Sequence, residues 1–186
     1  MEQKLEAYRR KRNFLKTSEP SGKEEKAVGV KKRKIFAVQL HYARTTHFDF
    51  RLEWDGVLLS WAVPKGPSFN PKDKRLAVRV EEHPLDYADF EGVIPKGEYG
   101  GGTVLLWDKG YWTETEDFAR GLEKGSLKLR LDGKRLKGGW ALVRLNDKDK
   151  AEDEKENWLL FKEKDSFAKD TSGCLLYTSD AADDLT

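Results

Sequence analysis

From His47 to Trp54 the side chains alternate without a break. His47, Asp49, Arg51 and Glu53 fall to one side, and Phe48, Phe50, Leu52 and Trp54 to the other. A period of two describes a β-strand with one face in an apolar core, whereas an amphipathic helix repeats every three or four residues. Asp55-Gly56 follows at once and leads into the apolar run Val57–Val63, the turn chemistry of a tight hairpin. The same pattern recurs along the chain. Strands are expected at Ile35–His41, Leu76–Glu81 and Asn157–Glu163. Further hairpins are expected at Thr103–Trp107 with Tyr111–Thr113 around Asp108-Lys109-Gly110, and at Ser126–Leu131 with Leu136–Leu145 around Asp132-Gly133. His83 to Gly102 reads as a long irregular connection. A short amphipathic helix is expected over residues 5–15, with Leu5, Tyr8 and Leu15 on its inner side, and a second over Glu114–Lys124, stopped by Gly125. No βαβ alternation or Gly-rich strand-to-helix turn supports a nucleotide-binding α/β fold. The fold class is therefore mainly β: a compact antiparallel β-barrel with a short N-terminal helix and one further short helix.

The polar face of the first strand is unusual. A solvated strand face carries Thr, Lys and Glu, whereas this one carries an imidazole, a carboxylate and a guanidinium in line, about 7 Å apart. His41 precedes His47 by six residues, so one short turn brings two histidines and Asp49 together. Two neutral imidazoles and one carboxylate are ligand types for a divalent ion with open positions; the mixed N/O set suits Mn²⁺ better than Mg²⁺ and also admits zinc. Arg51 beside them suits a phosphate. The competing reading is a partly exposed barrel strand whose polar groups are satisfied within the protein. His83, in EEHPLDY, is the one remaining histidine and is a candidate for contacting phosphate as the imidazolium or protonating a leaving oxygen. Gly100-Gly101-Gly102 reads as a bulge or turn ahead of a phosphate cradle. The tryptophans at 61, 107, 112, 140 and 158 fall on expected strands and read as core. No G-x-S-x-G nucleophile motif is present.

Charge is informative only locally. The net charge of the 186-residue chain is +2, so no global argument for a polyanion partner holds. Residues 1–34, however, hold twelve Lys or Arg against five Glu, and form a basic helix-and-linker arm ahead of a barrel domain over residues 35–168. The single Cys174 excludes an internal disulfide and a cysteine-rich metal site. No apolar run reaches membrane-spanning length and the N-terminus lacks the apolar core of a signal peptide, so no membrane partner and a cytoplasmic location, bacterial or archaeal, are expected. Residues 173–186 change character abruptly. Cys174–Asp183 resembles a sequencing adaptor translated in frame, so this tail is read as non-native and given no function.

Three long motifs bring in a family. These are H-x5-H-x-D-x-R-L-E from His41, S-W-A-V-P-K-G-P from Ser60, and E-x-H-P-L-D-Y-x-x-F-E-G-x-I-P-x-G-x-Y-G from Glu81. Together they resemble the 3′-phosphoesterase domain of bacterial DNA ligase D, from about Leu5 to Phe167. The resemblance implies a Mn²⁺-dependent barrel enzyme that heals DNA 3′ ends for end joining. Such an enzyme removes a 3′-terminal ribonucleoside from a primer-template and then hydrolyses the 3′-phosphate to a 3′-hydroxyl. It implies His41, His47 and Asp49 as metal ligands, and Arg51 and His83 as phosphate contacts in catalysis, with Gln39 and Tyr87 completing the phosphate site. Arg12, Glu19, Lys65, Arg75 and Glu81 fall at accessory positions. Ligase and polymerase domains or end-joining proteins are the implied partners. The family's K-R-D-F is Lys11-Arg12-Asn13-Phe14 here. Losing that carboxylate is expected to lower ribonuclease relative to phosphatase activity, and Asn13→Asp to raise it. The alternative function is a non-catalytic nucleic-acid-binding β-barrel module, in which the complete metal-ligand set would have no use.

Overall fold

The structure, a computed structural model, describes residues 3–23, 33–146, 151 and 154–171; the basic linker from 24 to 32 and the tail from 172 lie outside them. Nine strands form one antiparallel sheet: β1 (Lys34–Tyr42), β2 (Thr46–Trp54), β3 (Val57–Val63), β4 (Arg75–His83), β5 (Gly92–Ile94), β6 (Gly102–Glu114), β7 (Ser126–Gly133), β8 (Lys137–Arg144) and β9 (Asn157–Lys162). The order β1-β2-β3-β4-β9-β8-β7-β6 closes through a pairing of β6 with β1, giving an eight-stranded barrel, while β5 pairs with β6 at residues 102–104. Helix α1 (Glu6–Arg10) lies at the N-terminus and α2 (Phe118–Lys124) between β6 and β7. The expected fold class is the observed one.

Local chemistry accounts for most boundaries. Asp55 (φ 52°) and Gly56 (φ 84°) both take positive φ, the geometry that joins twisted strands in a two-residue hairpin. Asp117 caps α2 by accepting from the Arg120 N–H, and Gly125 ends it in the left-handed region at φ 81°. The interior holds Phe36, Phe48, Phe50, Trp61, Trp112, Trp140 and Trp158, with Trp107 at its edge against Phe48. A smaller apolar cluster on the outside of β1 and β6 holds Tyr8, Ala37, Tyr87, Phe90, Ile94 and Val104. The N-terminal segment and the 3-10 helix Leu85–Asp89 pack there, and this outer cluster walls the candidate site.

Three expectations are corrected. Asp108-Lys109-Gly110 is no turn: β6 runs unbroken through it. Both turn-type residues serve other ends. A Cβ on Gly110 would meet the Asp132 carbonyl at 2.1 Å, so glycine is required there for close backbone approach. The buried Asp108 carboxylate accepts the N–H groups of Lys109, Lys134, Arg135 and Leu136. By gathering 134–136 it also moves the next turn just past Asp132-Gly133. The N-terminal helix stops at Arg10, and Leu15 is 97% exposed rather than on an inner side. Lastly, the irregular 83–102 connection contains the 3-10 helix and β5.

Candidate active site

The hairpin between β1 and β2 aligns His41 directly with His47, and Gln39 with Asp49. Paired residues share a face, so both imidazoles and the carboxylate emerge on the outer side of the barrel. One donor atom from each of His41, His47 and Asp49 lies within 4.8 Å of the others. His41 Nδ1 is 3.5 Å and His47 Nε2 3.4 Å from the Asp49 oxygens. The opposite ring nitrogens face backbone carbonyls: His41 Nε2 reaches Gly100 O at 2.6 Å, and His47 Nδ1 reaches Thr45 O at 2.8 Å. A carbonyl only accepts, so each of those nitrogens carries the proton and donates. Each ring therefore turns its bare nitrogen toward Asp49, the tautomer and orientation that metal-binding histidines are given by their outer partners. A bare nitrogen beside a carboxylate oxygen is repulsive unless a cation or a second proton lies between them, so the donor set fits a divalent metal. The structural alternative uses that second proton. Burial opposes a charged His47, but Asp49 outweighs it and raises the His47 pKa. The Asp49 carboxyl is held far below the carboxylate range: burial works against ionisation, and Arg51, His41 and His47 prevail.

Gly100 and Gly102 belong to this geometry. At Gly102, φ is +139° and a Cβ would sit 2.0 Å from the Tyr42 carbonyl, so only glycine lets β6 start against the end of β1. That close approach sets the Gly100 carbonyl on His41. The run is a backbone device with a direct contact to the candidate centre, and its sequence signal was the glycine cluster itself.

Arg51 lies two residues beyond Asp49 on the same face and is buried. Its Nε donates to Gln39 Oε1 (2.7 Å), its Nη1 to Ser60 Oγ (2.8 Å), and its Nη2 lies 3.5 Å from Asp49. Gln39 in turn donates to the carbonyls of Tyr87 (2.7 Å) and Phe90 (3.0 Å). Both of its N–H donors are thus used inside the protein, and the Tyr87 hydroxyl donates to Glu19 Oε2 (2.8 Å). Gln39 and Tyr87, expected to complete the phosphate site, hold Arg51 and the 3-10 helix through these contacts. Ser60 was missed in the sequence. A lone strand serine carries no signal until the register sets it opposite Arg51.

A second cluster adjoins the first. Glu19 accepts from Arg12 Nε (2.9 Å), Thr17 and Tyr87, while Glu81 takes Lys11 (3.0 Å) and Arg12 Nη1 (3.3 Å). Arg12 Nη2 stands 3.4 Å from His83 Nε2, and the His83 ring packs edge-on with those of Tyr8 and Tyr87, which also touch each other. His83 Nδ1 donates to the Glu81 carbonyl (2.8 Å), which leaves Nε2 bare toward Arg12. Burial first, then Arg51 and Arg12, press the His83 pKa well below the ordinary 6.5. These surroundings oppose the imidazolium form expected for phosphate contact. Arg12, Glu19 and Glu81 are brought together with His83; Lys65 and Arg75 are not. Lys65 is exposed in the turn after β3, and Arg75 pairs with Asp73 at the far end of β4 from His83. Asn13 is exposed, and its Oδ1 accepts from the Leu15 N–H within a local turn.

Residues 39–144, more than half of the chain and all of the metal-type cluster, match the model of the DNA ligase D 3′-phosphoesterase domain. The chain belongs to this family. It is 52% identical over 167 residues to the multifunctional non-homologous end joining protein LigD of Pseudomonas aeruginosa, covering 89% of this chain and 19% of that protein. It is 46% identical over 143 residues to the corresponding DNA repair protein of Mycobacterium tuberculosis, covering 77% and 18%. With that of Mycolicibacterium smegmatis it shares 41% over 169 residues, covering 87% and 21%. The chain thus spans about a fifth of the length of the curated relatives it matches. Among the described residues no helix is long and apolar enough to cross a membrane.

Proposed function

We propose that the chain is a Mn²⁺-dependent phosphoesterase that heals DNA 3′ ends, removing a 3′-terminal ribonucleoside and then the 3′-phosphate to leave a 3′-hydroxyl for end joining. The observation that carries the reading is the convergence of the bare His41 and His47 nitrogens on Asp49, beside a buried Arg51, in a chain of the 3′-phosphoesterase family. A divalent ion held by His41, His47 and Asp49 would supply a polarised phosphoryl oxygen and a bound water of lowered pKa.

The chain's own residues do the rest. Arg51, fixed by Gln39 and Ser60, presents Nη2 next to the triad as a pre-oriented donor to a phosphoryl oxygen. Arg12, fixed by Glu19 and Glu81, supplies a second guanidinium beside His83. Burial first, and then the Arg51 and Arg12 guanidiniums, disfavour a charged His83; an entering phosphate dianion offsets the guanidiniums and so shifts the ring toward protonation when the leaving oxygen needs it. Gln39, Tyr87 and Glu19 position these groups. Lys65 and Arg75 serve as accessory contacts to the strand of a bound nucleic acid. The substrates are primer-template 3′ ends, and the partners are the ligase and polymerase functions joined to such domains in multifunctional end-joining proteins.

The test is a labelled primer-template ending in one ribonucleotide or in a 3′-phosphate, incubated with Mn²⁺, Mg²⁺ or chelator, beside Asp49→Asn. Conversion to the 3′-hydroxyl with Mn²⁺ and wild-type protein alone is the expected result. Equilibrium dialysis should find one Mn²⁺ per wild-type chain and none in Asp49→Asn. Tight binding of the DNA with neither metal uptake nor conversion would make the chain a binding module and refute the reading.

A further inference from the structure

On the outer face of β6–β8, away from the triad, the strands carry a groove of about 370 Å³. Arg33, Arg130 and Lys137 line it, and none has an ion pair among the described residues; Asp132 is the single carboxylate in the lining. Tyr111 and Phe167 stand in its walls, 39% and 40% exposed, and the Arg33 guanidinium lies 3.9 Å over the Tyr111 ring. Unpaired cations beside exposed aromatic faces are the combination that takes single-stranded nucleic acid: the cations follow the backbone and the rings stack on bases of any identity. Duplex DNA buries its base faces and would leave the two rings without partners.

Register ties the groove to the candidate active site. Ile35 on β1 is opposite Tyr111, Tyr111 opposite Asp132, and Asp132 opposite Lys137. Ile35 and His41 lie on the same face of β1, six residues apart, which is about 20 Å of strand. The N-terminal segment and the 3-10 helix cover the face between them, so a strand joining the two sites passes around that cover and needs at least about six nucleotide steps at about 3.4 Å each. In sequence Lys31 and Lys32 run directly into Arg33.

We infer that the Arg33–Tyr111–Arg130–Lys137 groove holds the single-stranded template that extends past the primer 3′ end while that end sits at His41, His47 and Asp49. This rests on the phosphoesterase reading for the identity of the strand, though the groove's binding chemistry is measurable by itself. The groove makes an unpaired template of about six nucleotides or more part of what is recognised, so recessed 3′ ends are preferred to blunt ones.

Anisotropy of a labelled oligothymidylate, with the whole chain in chelator, tests binding without turnover. Wild-type protein should bind with a clear salt dependence. Arg130→Ala with Lys137→Ala should reduce the slope of log affinity against log salt by about 1.4, two phosphates at about 0.7 each. Tyr111→Ala should weaken binding at least about fivefold, the low end of one base stack. The groove variants should lose the preference for a six-nucleotide template overhang over a blunt end while keeping blunt-end turnover and thermal midpoint. Oligothymidylate binding of equal strength and salt slope in wild-type and groove-variant chains overturns the inference. Absence of 3′-end conversion by wild-type protein would refute the phosphoesterase reading alone, since the oligothymidylate comparison is unaffected by it.

Discussion

Gln39→Met isolates how much of the site's order depends on one buried amide. Gln39 is fully buried, and its amide makes three hydrogen bonds: two donated to the Tyr87 and Phe90 carbonyls, and one accepted from Arg51 Nε. Methionine matches the length and leaves all three partners without the amide. The Arg51 bond is charge-assisted and worth about 1.5–3 kcal/mol, and an orphaned buried carbonyl costs about 1–3 kcal/mol. Tyr87 O keeps its bond from the Phe90 N–H, so its loss is at the low end. The sum is roughly 3.5–7 kcal/mol, and the gain from burying an apolar chain offsets about 1–2 kcal/mol of it. A net loss of about 2–5 kcal/mol should lower the urea midpoint by about 1–2.5 M at an m-value of roughly 2 kcal/mol/M. Gln39→Glu is the discriminating partner. Its carboxylate keeps the Arg51 bond but sets negative charge against two carbonyls, so it should destabilise despite near-identical shape. Gln39→Met should also weaken phosphate capture, because Arg51 loses its Nε anchor, whereas Gln39→Glu retains that anchor. Equilibrium urea unfolding is the assay. Midpoints within about 0.3 M of wild type for both variants would refute the reasoning.

Glu81 provides a pH signature. Burial opposes its ionisation, but its own backbone N–H, Lys11 and Arg12 prevail and lower the pKa below the ordinary 4.5. A depressed folded pKa means that its stabilisation is complete above 4.5 and is lost as pH falls through the folded value. Glu81→Gln should therefore lower stability at neutral pH and flatten the acid limb of a melting-temperature profile; an acid limb parallel to wild type would contradict this. Gly102→Ala should be among the most damaging single changes, because the obstacle is the Tyr42 backbone and no side chain can move aside. Its thermal midpoint should fall by several degrees, and Mn²⁺ uptake should weaken as the Gly100 carbonyl leaves His41; unchanged values for both would refute the account of the glycine run. Asp108→Ala should expose the 134–136 turn to amide hydrogen exchange, since four N–H donors lose their acceptor. Unaltered protection there would show that the turn holds itself.

Some residues were legible because their information is local. His47, Asp49 and Arg51 announce themselves through strict alternation, and the Asp55-Gly56 turn through its requirement for positive φ. Other residues misled for the same reason. Asp108 and Gly110 carry the chemistry of a turn, but a buried carboxylate with four backbone donors and a close strand contact account for them equally well. Leu15 looked inward because a helical period was extended past the helix's end. Ser60 could not be found, since nothing beside it in the chain marks it as the partner of Arg51.

By itself the sequence determined the alternating faces of the His47 strand, the Asp55-Gly56 turn and the glycine stop of α2, and it singled out His41, His47 and Asp49 as metal-type residues. These depend on side-chain period and backbone conformation within a few residues, where chain connectivity holds the distances. Only the tertiary structure decided the hydrogen-bond partners of His41 and His47, the downward press on the His83 pKa, and the placing of Gln39 and Tyr87 against Arg51. Those properties come from groups far apart in the chain: Gly100 for His41, Arg12 and Arg51 for His83, Glu19 for Tyr87. Charge and hydrogen-bond direction in a buried site depend on every dipole within a few ångströms, and closure of the barrel is what brings those dipoles there.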